Sequence, residues 1–331
     1  MYRLIKKWFS KLFCKEETKE EEDMLRNSII GAGGSGGAFS LYNYTYNPSK
    51  SKTDISSLGI PDFWKHSSTG LFVKPDGTKC WTANENRPQY EFTLSTPWDF
   101  STITKTYSRI GIPFQNGDNS TDVWGQGKVG VGPVFDSTGT RCFICESEVY
   151  KRVNQYSTAT PWSINGMVKV DSNVECDQLL DTNGDAHGFM VKPDGSAWYS
   201  LLDNRGKAKV ITVNMSIPFQ CDTGVVADPE GVVVAEKDPL SRPPSGWWLG
   251  PEGTLLVITY RNPGVASAIL TSYQLETAYD FSTAELIEVW EPPSTNNSVY
   301  GVSFSDDMKK MVLLTALIPT DSESAFHLYE K

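Results

Sequence analysis

Three histidines, one Cys-x-x-Cys pair and a surplus of carboxylates are the groups in this 331-residue chain with chemistry to offer. His66 and His187 stand just before apolar runs, and His327 lies in the last one. None belongs to a GxSxG, HExxH or phosphate-loop motif, so structural or rim roles are expected. Asp62, Asp122, Asp185 and Glu291 precede apolar runs as well. Two carboxylates at the mouth of a channel would hydrolyse a glycoside, one as acid and the other as base or nucleophile. These four do not recur at one spacing, and the chain reads as no enzyme, with no catalytic residues and no cofactor. Cys142-Phe-Ile-Cys145 resembles half a zinc site. On a strand, positions three apart face opposite sides, and no second pair follows. In Asp181-Thr-Asn-Gly-Asp-Ala-His-Gly188, Asp181, Asn183 and Asp185 alternate as in calcium loops. Ala186 then stands where glycine is needed and Lys192 where glutamate is needed, so a polar turn is expected and no metal.

Binding has two candidate loop sets. ANENRPQ, ESEVYKR, LDNRGKA and YRNPGVA carry Arg87, Arg152, Arg205 and Arg261 at roughly equivalent places. A ring of guanidinium groups would hold anionic groups or a protein. The plain alternative, a set of polar hairpins turned by Asn, Gly and Pro, is favoured. The longer loops QNGDNSTDVWGQGKVG and PLSRPPSGWW offer Trp124, Trp247 and Trp248 as anchors. Trp247 and Trp248 open an apolar run, so one of them is expected in the core.

The elements that must position these groups come from a segment that returns five times, from Gly70, Gly132, Gly188, Gly246 and Gly301. Gly77, Gly139, Gly195, Gly253 and Met308 occupy one place in the repeat, 62, 56, 58 and 55 residues apart. Pro-Asp-Gly and Pro-Glu-Gly are tight-turn signals flanked by apolar runs, which predicts an antiparallel hairpin in each copy. A third strand such as YEFTLST and a fourth such as ITKTYSRI complete a four-stranded propeller blade. The fifth copy ends at Lys331 after three strands. Phe39–Pro61 aligns with the third and fourth strands of the first copy, and both stretches finish in Gly-Ile-Pro. We therefore expect residues 39–331 to form an all-β, five-bladed propeller whose N-terminal strand closes the last blade. Closure removes the free sheet edges that invite aggregation. A sixth blade would need another hairpin, and the only spare turn, Asp228-Pro-Glu-Gly231, lies in an insertion.

Cys80 and Cys142 fall three residues after the turn glycine, where the other copies have Trp198, Leu256 and Met311. That set describes a buried apolar position. Six cysteines without a framework suit synthesis in a reducing compartment.

Charge is uneven. Residues 1–38 carry seven Lys/Arg against six Asp/Glu, and the rest of the chain 23 against 34. An acidic propeller argues against nucleic acid as a partner. No run of 18 apolar residues offers a membrane span, and the first residues lack the apolar core and cleavage site of a secretory signal.

Residues 1–27 read as an amphipathic helical anchor, with Ile5, Trp8, Phe9, Leu12 and Phe13 on one face and Arg3, Lys7 and Lys11 opposite. Residues 28–38 contain Gly-Ala-Gly-Gly-Ser-Gly-Gly, a hinge. An aromatic helical face must be buried somewhere. Docking on a partner protein, or self-association into a helical bundle, is the first expectation and contact with a membrane surface the second.

The unit FxKPDGTK…YxFTLSTPWDFST resembles the repeats of propeller proteins from tailed phages. The likeness is carried by Thr96–Thr102, Thr160–Gly166 and Ala278–Ala284, and spans residues 39–331. The third copy departs, with NMSIPFQ in place of TPWDFST. The resemblance implies a virion structural or tail-associated protein made in the host cytoplasm. Residues 1–38 would then hold other virion proteins in the capsid, neck or tail, and the propeller would face a host-surface glycan or receptor. A lectin-like glycan-binding propeller is the alternative, with a glycosidase behind it.

Overall fold

The computed structural model describes residues 39–58, 68–84, 89–109, 130–146, 152–170, 174–175, 186–204, 207–226, 231–235, 243–260, 268–293, 298–316 and 324–331. Leu41–Lys331 is one compact unit, and Met1–Ser40 belongs to another. The expected helix and hinge, with Ile5, Trp8, Phe9, Leu12 and Phe13, lie outside the described residues.

The chain enters the ring through a two-residue strand, β1 (Thr45–Tyr46). Blade 1 is then β2 (Ser68–Val73), β3 (Lys79–Asn84), β4 (Gln89–Leu94) and β5 (Ile103–Arg109). Blade 2 has β6 (Gly130–Phe135), β7 (Arg141–Glu146), β8 (Arg152–Ser157), β9 (Val168–Lys169) and β10 (Val174–Glu175). Blade 3 has β11 (Ala186–Val191), β12 (Ala197–Asn204), β13 (Lys207–Met215), β14 (Gly224–Val226) and β15 (Val232–Ala235). Blade 4 is β16 (Pro244–Leu249), β17 (Leu255–Tyr260), β18 (Ile269–Leu275) and β19 (Ala284–Trp290). Blade 5 is β20 (Ser298–Phe304), β21 (Lys310–Ala316) and β22 (Ser324–Glu330), and β1 takes its outermost place. Every pairing is antiparallel, and the fold is a five-bladed β-propeller closed by an N-terminal strand.

Two details differ from the sequence expectation. In blades 2 and 3 the outermost place is shared by two short strands rather than filled by one. β9 and β10 cover opposite ends of β8, and β14 and β15 cover opposite ends of β13. The Asp228–Gly231 insertion thus leads into a second outer strand of blade 3. The closing strand is also shorter than the alignment of Phe39–Pro61 with blade 1 implies. Thr45 and Tyr46 pair with Glu330 and Tyr329, and Lys52 bridges to Phe326. Between them Pro48, which has no N–H, opens a 3-10 turn over Pro48–Lys50 and interrupts the ladder.

Alternation along the strands divides the core into layers between blades. Cys80, on the face of β3 toward blade 5, packs with Phe92, Phe326 and Leu328. Trp81, one residue on, faces blade 2 with Phe135, Cys142, Ile144 and Tyr156. Cys142 and Cys145 fall in different layers, as their spacing requires. Both are buried thiols, as is Cys80, whose pKa burial pushes well up.

Candidate functional site

The hairpins joining the first and second strands lie on one face of the ring, and the ends at which each second strand stops and each third strand begins lie on the other. The first face is built by the repeat motif itself. Trp98, Trp162, Phe219 and Tyr279 all adopt a left-handed backbone, with φ of 60°, 60°, 60° and 64°. Each donates its N–H to the carbonyl of its own blade's turn glycine, Gly77, Gly139, Gly195 or Gly253, at 2.8–3.0 Å. Each ring covers that glycine so closely that a Cβ on Gly77 would lie 2.0 Å from the Trp98 ring and one on Gly139 2.4 Å from Trp162. The motif's aspartate caps the turn that follows: Asp99 accepts from Ser101 N–H and Oγ, and Asp280 from those of Ser282. The next residue, Phe100 or Phe281, is buried. Blade 3 keeps this geometry although its sequence departs, because Phe219 and the buried Cys221 take the aromatic and core places.

A cation from the preceding blade stands over three of these rings. Lys74 Nζ lies 5.8 Å from Trp162, the Arg141 guanidinium 5.0 Å from Phe219, and Lys192 Nζ 5.2 Å from Tyr279. Those cations also pair with hairpin carboxylates, Lys74 with Asp76 and Lys192 with Asp194. Desolvation raises the Asp194 pKa, but hydrogen bonds from Ser196 and the Lys192 ammonium outweigh it and bring it down to about 2. Lys74, Arg141 and Lys192 are thus engaged within the ring.

The axis is filled by backbone. Each innermost strand carries a register shift at its opening glycine, between Ser68/Leu71, Val131/Val134, Ala186/Gly188, Pro244/Gly246 and Val299/Gly301. A methyl group on Gly188 would come within 2.0 Å of Trp247, and one on Gly301 within 2.6 Å of Leu71. Glycine here lets five strands converge. The cavity left between them measures about 30 Å³, room for about one water. His187 lines it from within β11 rather than standing ahead of the strand as its sequence position suggested. Trp247 is the core member of the Trp247–Trp248 pair and also lines this cavity.

Of the expected loop residues, Arg87, Arg205, Arg261 and Trp124 lie outside the described residues. Arg152 begins β8, and its backbone pairs with Glu175. Described strand ends flank each of these loops on the face opposite the turns: Asn84 and Gln89, Asn204 and Lys207, Tyr260 and Ile269. Of the four expected carboxylates, Asp62, Asp122 and Asp185 are outside the described residues. Glu291 is exposed and follows the outer strand β19, away from the axis. The calcium-like loop is described only at Ala186, His187 and Gly188, all in β11. Among the described residues no group of three or more His, Cys, Asp or Glu is placed to hold a metal ion, and no helix is long and apolar enough to cross a membrane.

Two polar arrangements escaped the sequence reading. Glu91, 1% exposed, lies between blades 1 and 2. It accepts from Lys79 Nζ (2.7 Å), Trp81 Nε1 (3.3 Å), Ser163 Oγ (3.1 Å) and the Ile164 N–H (2.8 Å). Lys79 also reaches the Trp162 carbonyl. The signal was a lone carboxylate inside YEFTLST. The second arrangement surrounds the entering chain. The Leu41 N–H donates to Glu288 of blade 4, Tyr42 Oη to the Val289 carbonyl, and Tyr44 Oη to the Met308 carbonyl at 2.6 Å. Asn47 and Lys50 both bond Glu330. Residues 41–52 are thereby stitched to the rim of blades 4 and 5.

No family model and no curated protein matches the chain. Solved propellers are similar in backbone. The RRP9 WD40 repeats share 9% identity over 87% of this chain and 100% of theirs, with a TM-score of 0.47. The periplasmic gluconolactonase PpgL of Pseudomonas aeruginosa shares 15%, over 78% of this chain and 70% of its own, with a TM-score of 0.39. A Bacteroides uniformis protein provisionally assigned as a 6-phosphogluconolactonase shares 12%, with a TM-score of 0.41. The match covers 72% of this chain and 63% of that one. At these values the likenesses bear on no activity.

Proposed function

We propose that this chain is a non-enzymatic component of a phage virion, a rigid propeller tethered to the particle by residues 1–38. The supporting observation is how the chain enters the ring. The residues following the proposed tether form the outermost strand of the last blade and are bonded to blades 4 and 5 from Leu41 to Lys52. The axis, closed by glycine-lined strands, favours a scaffold over a channel-mouth enzyme. Repetition on a symmetric particle would multiply weak propeller contacts through avidity.

The test compares the full-length chain with residues 39–331 by light scattering, together with mass spectrometry of purified particles. The reading expects oligomers or poor solubility for the full chain, a monomer for the shortened one, and the protein within particles. Two well-behaved monomers and particles without the protein would overturn it.

A further inference from the structure

We propose that ring closure is acid-labile: proton uptake by His327 releases strand β1 from blade 5. The argument begins with the thinness of the closure. β1 contributes two paired residues, and beyond the Pro48–Lys50 turn only Lys52 rejoins the ladder. The other backbone tie is the Asn47 N–H to the Leu328 carbonyl, at 2.8 Å. Blade 1 fills the same place with seven continuous residues.

His327 sits under this short strand. It is 6% exposed on β22, with Thr315 on one side and the Tyr46 ring of β1 at 5.5 Å on the other. Nε2 shares a hydrogen bond with Thr315 Oγ1 at 3.0 Å, and Nδ1 has no partner. A neutral imidazole fits this site, because only one ring nitrogen must be hydrogen-bonded as a donor. An imidazolium has two N–H donors, and among the described residues the site supplies one hydroxyl acceptor, Thr315 Oγ1. Opening β1 would give the second donor to water. Among the described residues, the charged groups on the elements packed here include Lys50, Lys52, Glu288, Lys310 and Glu330. Lys50 pairs with Glu330 (3.0 Å), and Lys52 sits at the bridge to Phe326. Lys310 begins β21 opposite Glu330, and Glu288 on β19 takes the Leu41 N–H.

The repeat makes His327 singular. The equivalent residues on the third strands of blades 1 to 4 are Tyr90, Asn154, Ile211 and Thr271. None of these gains a proton between neutral pH and pH 4. Burial brings the His327 pKa from 6.5 down to about 4. The open state therefore binds a proton between those values and the closed state does not. Closure is favoured in full above about pH 6.5 and weakens as pH falls toward 4. Glu330 adds to this at the lower end. Desolvation raises its pKa, but the Asn47 and Lys50 hydrogen bonds outweigh it and the net shift is downward, so its hold is lost on acidification too.

The test is hydrogen exchange on the full chain from pH 7.5 to 4.5, expressed as protection factors so that intrinsic exchange is removed. The amides of Asn47, Lys52 and Phe326 should lose at least tenfold protection while β12 and β17 keep theirs. His327→Asn, which borrows the residue of blade 2, should abolish most of that loss. Glu330→Gln should leave the part between pH 6.5 and 5 in place. Uniform loss across all blades would overturn the proposal, since that is global unfolding. Unchanged protection of β1 would do the same, and so would an undiminished loss in His327→Asn. Should that variant fold poorly, the order in which wild-type segments lose protection still decides.

Discussion

Blade 1 and the closing blade do one job with different means. In blade 1 the chain runs from third strand to fourth through TPWDFST, so Trp98 covers Gly77 and six residues of β5 pair with β4. In the closing blade the fourth strand arrives from the other end of the chain, so no such motif can form. Met308 takes the turn position with φ of 56°, and Tyr44 reaches its carbonyl in place of the aromatic cover. The position of Glu91, which staples blade 1 to blade 2, is held in blade 5 by Leu328, packed apolar against blade 1. A continuous connection lets local sequence specify the outer strand. A closure between distant segments depends on scattered side-chain contacts and is thinner.

The strongest challenge to this contrast is Glu91→Ala. It removes the acceptor of the Trp81, Ser163, Ile164 and Lys79 donors, and should cost about 3–5 kcal/mol in urea unfolding. A loss below about 1 kcal/mol, the scale of an exposed pair, would mean that the staple is not what holds blades 1 and 2. Gly77→Ala places a methyl at positive φ against the Trp98 ring and should cost about 2–4 kcal/mol by the same measurement. Tyr44→Phe removes one hydrogen bond at the closure and should cost about 1 kcal/mol, with hydrogen exchange raised first in β1. Met308→Gly relieves the left-handed strain without meeting a ring, and should raise the denaturant midpoint by an equivalent of about 0.5–1 kcal/mol. The opposite signs at Gly77 and Met308, one position in the repeat, sharpen the contrast most directly.

Legibility followed the range of the interaction. Pro-Asp-Gly turns, strand alternation and the recurrence of the unit are local signals, and they led to blades, their number and the closing strand. The split outer strands of blades 2 and 3 were not legible, because the docking of β9 and β10 on β8, and of β14 and β15 on β13, follows no signal that recurs in the repeat. Blade 3 looked divergent in NMSIPFQ because residue identity differs there, while the left-handed backbone over Gly195 is preserved by Phe219.

The amino-acid sequence by itself determined that this chain builds five blades of about 58 residues and shuts them with its own N-terminal strand, since turn chemistry and side-chain alternation act within a few residues. Only the tertiary structure decided which side chains meet between blades. Glu91 finds Ser163 and Ile164 more than 70 residues away, Lys74 stands over Trp162, and His327 lies beneath Tyr46 from the other end of the chain. Those meetings depend on how closely the blades approach around a glycine-lined axis, a distance set by packing and written in no single repeat.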